Sequence, residues 1–368
     1  MERRIHDLDL LQAQSDKAVS PEVNAGRSNI YRKLRPFVLG AGLVGCGNQS
    51  LENFNDMENI GSVQQMSIAD GYQNKVMVPA PVSVNINNKS EVISYAKDAG
   101  SNWEIYFSSD VNGGANGQDI FWATIDKTTL QTVLGPTIVS GANNITPDND
   151  FKTCGGKAYY ISDKDFLSAK VYICDIVNAT TVANCTVVPG GINSDTWGIN
   201  GIACSPDGTK LYVTKDVINQ NTVPFVATTE TWNWTQVTGC AEPGTDIGGL
   251  SVTNQHFIYD TFDSSQPNLN SKLKYKNFNG TQCTGTQMDI PDLNQSGYDV
   301  AAPVAVNGGI FYTKGVEGQS NYNPYYATEK PTPPVCGNGT KEGTEQCDNG
   351  ANNTNTPCNA ACNGSCNY

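Results

Sequence analysis

Four polar residues stand at a near-constant distance ahead of a recurring strand. Asp150, Asn200, Asp246 and Asp299 precede Ile161, Val213, Tyr259 and Tyr312 by 11, 13, 13 and 13 positions. Ser90 or Glu91 takes the corresponding place in an earlier copy. Carboxylates and amides repeated at one structural position, and gathered about an axis, make a polar ring suited to a cation, a sugar or a basic peptide group. Paired carboxyl groups ~5–9.5 Å apart also divide the acid and base work of glycoside hydrolysis. Trp197 and Tyr298 lie in the same loops and offer faces on which a sugar ring stacks. The plainer roles are turn caps ahead of strands for the Asp and Asn residues, and packing for the two aromatics.

The elements that position these residues repeat. Lys210–Asp216 reads as a strand, with Leu211 and Val213 on one face and Tyr212 and Thr214 on the other, and it recurs as Glu104–Asp110, Lys157–Asp163, His256–Thr261 and Gly309–Lys314. With Phe107, Ile161, Val213, Tyr259 and Tyr312 as equivalents, the steps are 54, 52, 46 and 53 residues. A period near 50 built only of strands is the mark of a β-propeller. The first four units each divide into four strands and the fifth into three. Lys75–Val84 precedes the first unit and supplies the missing outer strand, which closes the ring and removes a free edge. The expected fold is therefore all-β: a five-bladed propeller, with six blades as the alternative, and a small disulfide-rich C-terminal module.

The best-formed copy is Ser205-Pro206-Asp207-Gly208-Thr209-Lys210, a tight turn feeding the strand that follows. It resembles the Ser-Pro-Asp-Gly repeats of the propeller family that includes the periplasmic Tol translocation protein. Only Ser205–Asp216 matches that repeat well, and that family usually has six blades.

Composition narrows the function. The 368-residue chain is 38% hydrophobic and 16% charged, with a net charge of −13. It has no basic run that tracks phosphates, which argues against nucleic acid as a partner. Two histidines, His6 and His256, leave no basis for a His-rich metal site or a Ser/His/Asp triad. No cofactor motif is present. The Asp110–Asp119 segment lacks the ligand spacing of a calcium loop and reads as a hairpin turn.

Twelve cysteines point to an oxidising compartment. Cys174 and Cys185 fall on adjacent outer strands of the second unit and are expected to pair. Cys154, Cys204, Cys240 and Cys283 are left open, because six cysteines allow fifteen connectivities.

Residues 1–46 read as an N-terminal extension followed by an export signal. Basic residues in Tyr31–Arg35 precede the short apolar run Phe37–Cys46. Leu43-Val44-Gly45-Cys46 resembles the lipobox of bacterial lipoproteins, which implies lipidation of Cys46 and attachment to a membrane. Gly47 after that cysteine implies, by the same resemblance, the outer membrane. Residues 47–72 are polar and form a tether, 73–330 the propeller, 331–335 a Pro-rich linker and 336–368 a cysteine-rich module. Cys336-Gly337-Asn338-Gly339, Glu345-Gln346-Cys347-Asp348-Asn349-Gly350 and Cys358–Cys362 resemble the Myxococcus-type cysteine-rich repeat.

These readings together describe a lipid-anchored cell-envelope protein. Its propeller is expected to act as a non-enzymatic binding or scaffold module for a carbohydrate or protein ligand, through Asp150, Asn200, Asp246, Asp299, Trp197 and Tyr298. The alternative is a glycoside hydrolase using Asp150, Asp246 and Asp299. By analogy, five-bladed propellers host glycosidases with three carboxylates at the channel mouth, although the local sequences expected around such acids are absent.

Overall fold

The computed structural model describes residues 71–79, 90–110, 118–143, 148–163, 168–194, 198–217, 220–240, 245–262, 271–290, 292–317 and 322–330. The export signal with Cys46, the Pro-rich linker and the cysteine-rich module lie outside the described residues.

Five four-stranded antiparallel sheets form the five blades of a propeller. Blade one runs from the inside outward as β2 (Glu91–Ala99), β3 (Asn102–Ser109), β4 (Asp119–Asp126) and β5 (Thr132–Ile138). Blade two is β6 (Asp148–Cys154), β7 (Lys157–Ser162), β8 (Lys170–Asn178) and β9 (Thr181–Val187). Blade three is β10 (Ile199–Cys204), β11 (Lys210–Val217), β12 (Gln220–Thr228) and the short β13 (Thr235–Gln236). Blade four is β14 (Asp246–Val252), β15 (His256–Phe262), β16 (Lys272–Phe278) and β17 (Cys283–Asp289). Blade five takes β18 (Tyr298–Val306), β19 (Gly309–Val316) and β20 (Tyr322–Glu329) from one end of the described chain and β1 (Tyr72–Met77) from the other. Tyr72 pairs with Glu329 and Met77 with Tyr325, so the ring closes by an N-terminal strand.

The second strand of each blade is apolar on both faces because a neighbouring blade covers each one. β15, for instance, is buried along its whole length. Five apolar wedges fill the gaps between successive blades. In the wedge between blades one and two, Tyr106 stacks on Phe151 with ring centroids 4.4 Å apart. Between blades three and four, Tyr212, Phe257 and Phe278 pack edge-on or tilted.

A second repeat lies where each outer strand hands over to the next blade. Gly141, Gly190 and Gly239 all have φ between 75° and 87°. A Cβ on them would fall 2.0, 2.0 and 2.4 Å from the carbonyl oxygens of Val182, Trp232 and Cys283 of the following blade. At the ends of blades one, two and four, an asparagine grips the third strand of its own blade. Asn143 accepts from Ile120 N–H at 2.7 Å and donates to Ile120 C=O at 2.9 Å. Asn193 does the same to Val171 and Asn294 to Leu273. Each side-chain amide stands in for a peptide unit and ends a sheet ladder without an orphaned group.

Three disulfides reinforce one side of the ring. Cys174–Cys185 lies within blade two, as the sequence led us to expect. Cys154–Cys204 joins the inner strands of blades two and three, and Cys240–Cys283 joins blades three and four.

Candidate functional site: the channel and its mouth

The inner strands β2, β6, β10, β14 and β18 neighbour one another around the channel. All start at the same end, which places Ser90, Glu91, Asp148, Asn200, Asp246 and Asp299 at one mouth. Every one of them is buried.

Much of their hydrogen bonding crosses between blades. Asp246 Oδ1 accepts from Thr222 N–H at 3.2 Å. Asp299 Oδ1 accepts from Ser271 N–H at 3.0 Å, and its Oδ2 accepts from Tyr322 OH at 3.1 Å. Ser90 Oγ accepts from Tyr322 N–H at 3.4 Å. Thr222, Ser271 and Tyr322 all stand at or beside the start of the preceding blade's third strand, so one polar device recurs at three blade junctions. Asn200 donates to Asp216 Oδ1 at 2.8 Å and to Thr222 Oγ1 at 3.1 Å, adding to the same belt.

Asp150 belongs to a deeper level. Each inner strand carries a register shift near its middle, for example between Asn149 and Lys152 and between Ala301 and Val304. Such bulges leave backbone groups without ladder partners. Asp150 sits on one of them with φ +49°. The residue at the mouth level of β6 is Asp148, which lies 13 positions before Ile161 and pairs with Ser162. The sequence alignment through Asp150 is corrected accordingly: the bulge shifts it two residues down the strand.

The bulges are bridged by side chains that cross between blades. Asp150 Oδ2 accepts from Ile202 N–H of blade three at 2.6 Å, and its Oδ1 pairs with Lys152 Nζ at 2.9 Å. Lys152 Nζ also donates to Ser94 C=O of blade one. Asp260 of β15 accepts from Ala302 N–H of blade five at 3.3 Å through Oδ1. Its Oδ2 packs against Gly248 and has no hydrogen-bond partner among the described residues.

The chemistry-bearing groups are electrostatically linked. Burial pushes the Asp260 carboxyl up to about 7 against the pull of the backbone N–H groups of Ala302 and Gly249, and the charge of Asp150 adds to the rise. Burial raises Asp150 as well, opposed by Lys152 and Ile202 N–H. Asp299 is raised by burial against Ser271 N–H and Tyr322 OH. Tyr322 is raised by burial and by the charges of Asp299 and Asp260. The carboxyl groups of Asp150 and Asp260, from blades two and four, are thus coupled directly, and Asp299 of blade five reaches Asp260 only through Tyr322. Beside them Ile93, Ser108, Asp150, Lys152, Leu250 and Pro303 help line a narrow gap of about 10 Å³, room for a single water.

Asp260 was not singled out in the sequence, yet a signal was present. The residues following the five strand anchors are Ser108, Ser162, Thr214, Asp260 and Thr313. Four copies carry a small hydroxyl and one carries a carboxyl, all buried. Of the two mouth aromatics, Trp197 lies outside the described residues. Tyr298 is 37% exposed at the start of β18.

No family model matches the chain, and no curated protein does. Solved structures do. A glycosyl hydrolase from Bacteroides ovatus is similar over 72% of this chain and 95% of its own, at 11% identity and a TM-score of 0.45. The catalytic domain of the GH62 α-L-arabinofuranosidase of Coprinopsis cinerea covers 71% of this chain and 98% of its own, at 8% identity and a TM-score of 0.44. A TolB candidate from Agrobacterium tumefaciens covers 63% and 72%, at 12% identity and a TM-score of 0.36. At these identities the likeness is one of fold.

The leading functional expectation is corrected here. Most of the similar solved structures are described as glycoside hydrolases and not as binding scaffolds. The expectation of a non-enzymatic binding or scaffold protein is not carried further.

Proposed function

We propose that the propeller hydrolyses glycosidic bonds at its channel, using Asp150 and Asp299 as the reacting carboxyl groups. The observation that carries this reading is a group of buried carboxyl groups at the channel, linked in two steps: Asp150 acts by charge on Asp260, and Asp260 and Asp299 both act on Tyr322. Glycoside hydrolysis needs one carboxyl group that holds a proton near neutral pH and a second that stays ionised. Burial raises Asp150, and Lys152 at 2.9 Å pulls it back toward the carboxylate form. Asp299 lies at the mouth, where burial favours its protonated form and Tyr322 orients it. Asp260 sits behind the rim formed by Gly249 and Ala302 and acts as a positioning residue. Its proton sets the charge that Asp150 feels. Asp246 and Asn200 complete the belt that holds the mouth in shape, and Trp197 and Tyr298 are proposed to stack on the sugar.

The test is release of reducing ends from a panel of polysaccharides by the full chain. Asp150→Asn and Asp299→Asn are each expected to lower the rate by roughly 10²–10⁴-fold, the usual worth of a positioned acid or base. Melting curves would verify that both variants remain folded. Unchanged rates in both folded variants would remove the assignment.

We also propose that the protein is lipid-anchored at Cys46 in the cell envelope, in the outer membrane, with its cysteine-rich repeat distal to the propeller. The lipobox-like Leu43–Cys46 supports this. Labelling with an alkyne fatty acid is expected to mark the wild type and not Cys46→Ser. Equal labelling of the two would rule the anchor out.

A further inference from the structure

We propose that Tyr298, Lys314 and Lys272 form a subsite for an anionic sugar ring, uronate or sulfated, at the edge of the channel mouth. This rests on the hydrolase reading and names its substrate class. The chain carries a net charge of −13, yet lysines from three strands gather beside one exposed aromatic ring. Lys314 Nζ sits 4.0 Å from the centroid of the Tyr298 ring and 5.5 Å from that of Tyr325. It also donates to Gln295 Oε1 at 2.5 Å. Lys272 Nζ donates to the carbonyl oxygens of Gln295 at 3.1 Å and Tyr298 at 2.9 Å. Lys75 donates to the Asp292 carbonyl at 2.7 Å.

Among the described residues, no carboxylate lies within ion-pair distance of Lys75, Lys272 or Lys314, whereas Lys127, Lys157, Lys274 and Lys330 each have one. Burial and the charge of Lys75 hold Lys314 below the ordinary lysine range, while Lys272 and Lys75 also act by charge on the carboxyl groups of Asp299 and Asp292. An aromatic face takes the C–H face of a sugar, and ammonium groups beside it take the anion. Lys272 links the subsite to the proposed reacting group: its ammonium bonds to the Tyr298 carbonyl and its charge acts on the Asp299 carboxyl.

The experiment is calorimetric binding of tetragalacturonate, a sulfated carrageenan tetrasaccharide and neutral cellotetraose to the full chain. One of the anionic probes is expected to bind at least roughly tenfold more tightly than cellotetraose at low salt, a gap that narrows as salt screens the lysines. Which of the two does so separates uronate from sulfate. Tyr298→Ala and Lys314→Met are each expected to weaken it roughly tenfold, and Tyr298→Phe to leave it unchanged. Equal affinities for charged and neutral probes, no binding of either anionic probe, or indifference to both variants would overturn the subsite. Turnover is read separately by reducing-end release. Anionic preference without turnover of any glycan keeps the subsite and removes the hydrolase reading, and turnover of neutral glycans unaffected by the variants does the reverse.

Discussion

Gly190→Ala is expected to destabilise the propeller by roughly 2–5 kcal/mol, a large share of the stability of an ordinary domain. Two costs combine. At φ +83° an L side chain is strained by ~1–2 kcal/mol. The new Cβ would also fall 2.0 Å from Trp232 C=O and 2.9 Å from the Trp234 ring, which forces blade three away from blade two at a further cost of ~1–3 kcal/mol. The adjacent residue provides the control. Gly191 has φ +82° but its nearest neighbour would be 3.9 Å away, so Gly191→Ala is expected to show the backbone strain alone. Urea unfolding of the two variants separates the terms. Equal losses for both would mean that the close approach between blades is unimportant.

Stability is expected to fall as pH rises from about 4 to about 7. The Asp260 carboxyl moves from an ordinary value of 3.8 up to about 7 in the fold. Within that window the native state holds a proton that the unfolded chain has released, so raising the pH favours unfolding. The group's contribution is fully present below about pH 4, declines through the window and levels off above about 7. At ~1.4 kcal/mol per pH unit the whole change is of the order of 4 kcal/mol. Asp260→Asn keeps the shape, removes the titration and is expected to flatten the profile. Asp126, Asp175 and Asp207 act in the opposite sense. Hydrogen bonds, and for Asp175 a lysine, hold them below the usual range, so their support is lost only as the pH falls through those lowered values. A wild-type curve that is flat or rising between pH 4 and 7 would contradict the account of Asp260.

The architecture was legible because the second strand of each blade is covered on both faces. Burial on both sides demands apolar side chains at every copy, and the step near 50 residues survives even where turns differ. The ring-closing strand was legible for a related reason, since a fifth unit with three strands leaves an edge to cover. Asp150 was harder to place. The bulge recurs in every inner strand, so the step of 13 shared by Asn200, Asp246 and Asp299 leads back from Ile161 to Asp148, and the step of 11 to Asp150 marks a residue deeper in the channel wall. Asp260 was hidden inside a strand whose other residues are all expected to be buried, and only comparison with Ser108, Ser162, Thr214 and Thr313 marks it. The glycine and asparagine latches were overlooked because they fall between strands and, among the described residues, each occurs in only three of the five blades. Cys154–Cys204 and Cys240–Cys283 depend on which strands of neighbouring blades lie side by side, and strand order within one blade does not supply that.

The pH dependence of kcat/KM for cleavage of a glycan by the full chain tests the hydrolase reading most directly. The charge coupling of Asp260 to Asp150 predicts an alkaline limb near pH 7, which reports loss of the Asp260 proton. That limb is expected to move or vanish in Asp260→Asn while the variant stays folded. No cleavage of any glycan, or an identical profile in wild type and Asp260→Asn, would contradict it.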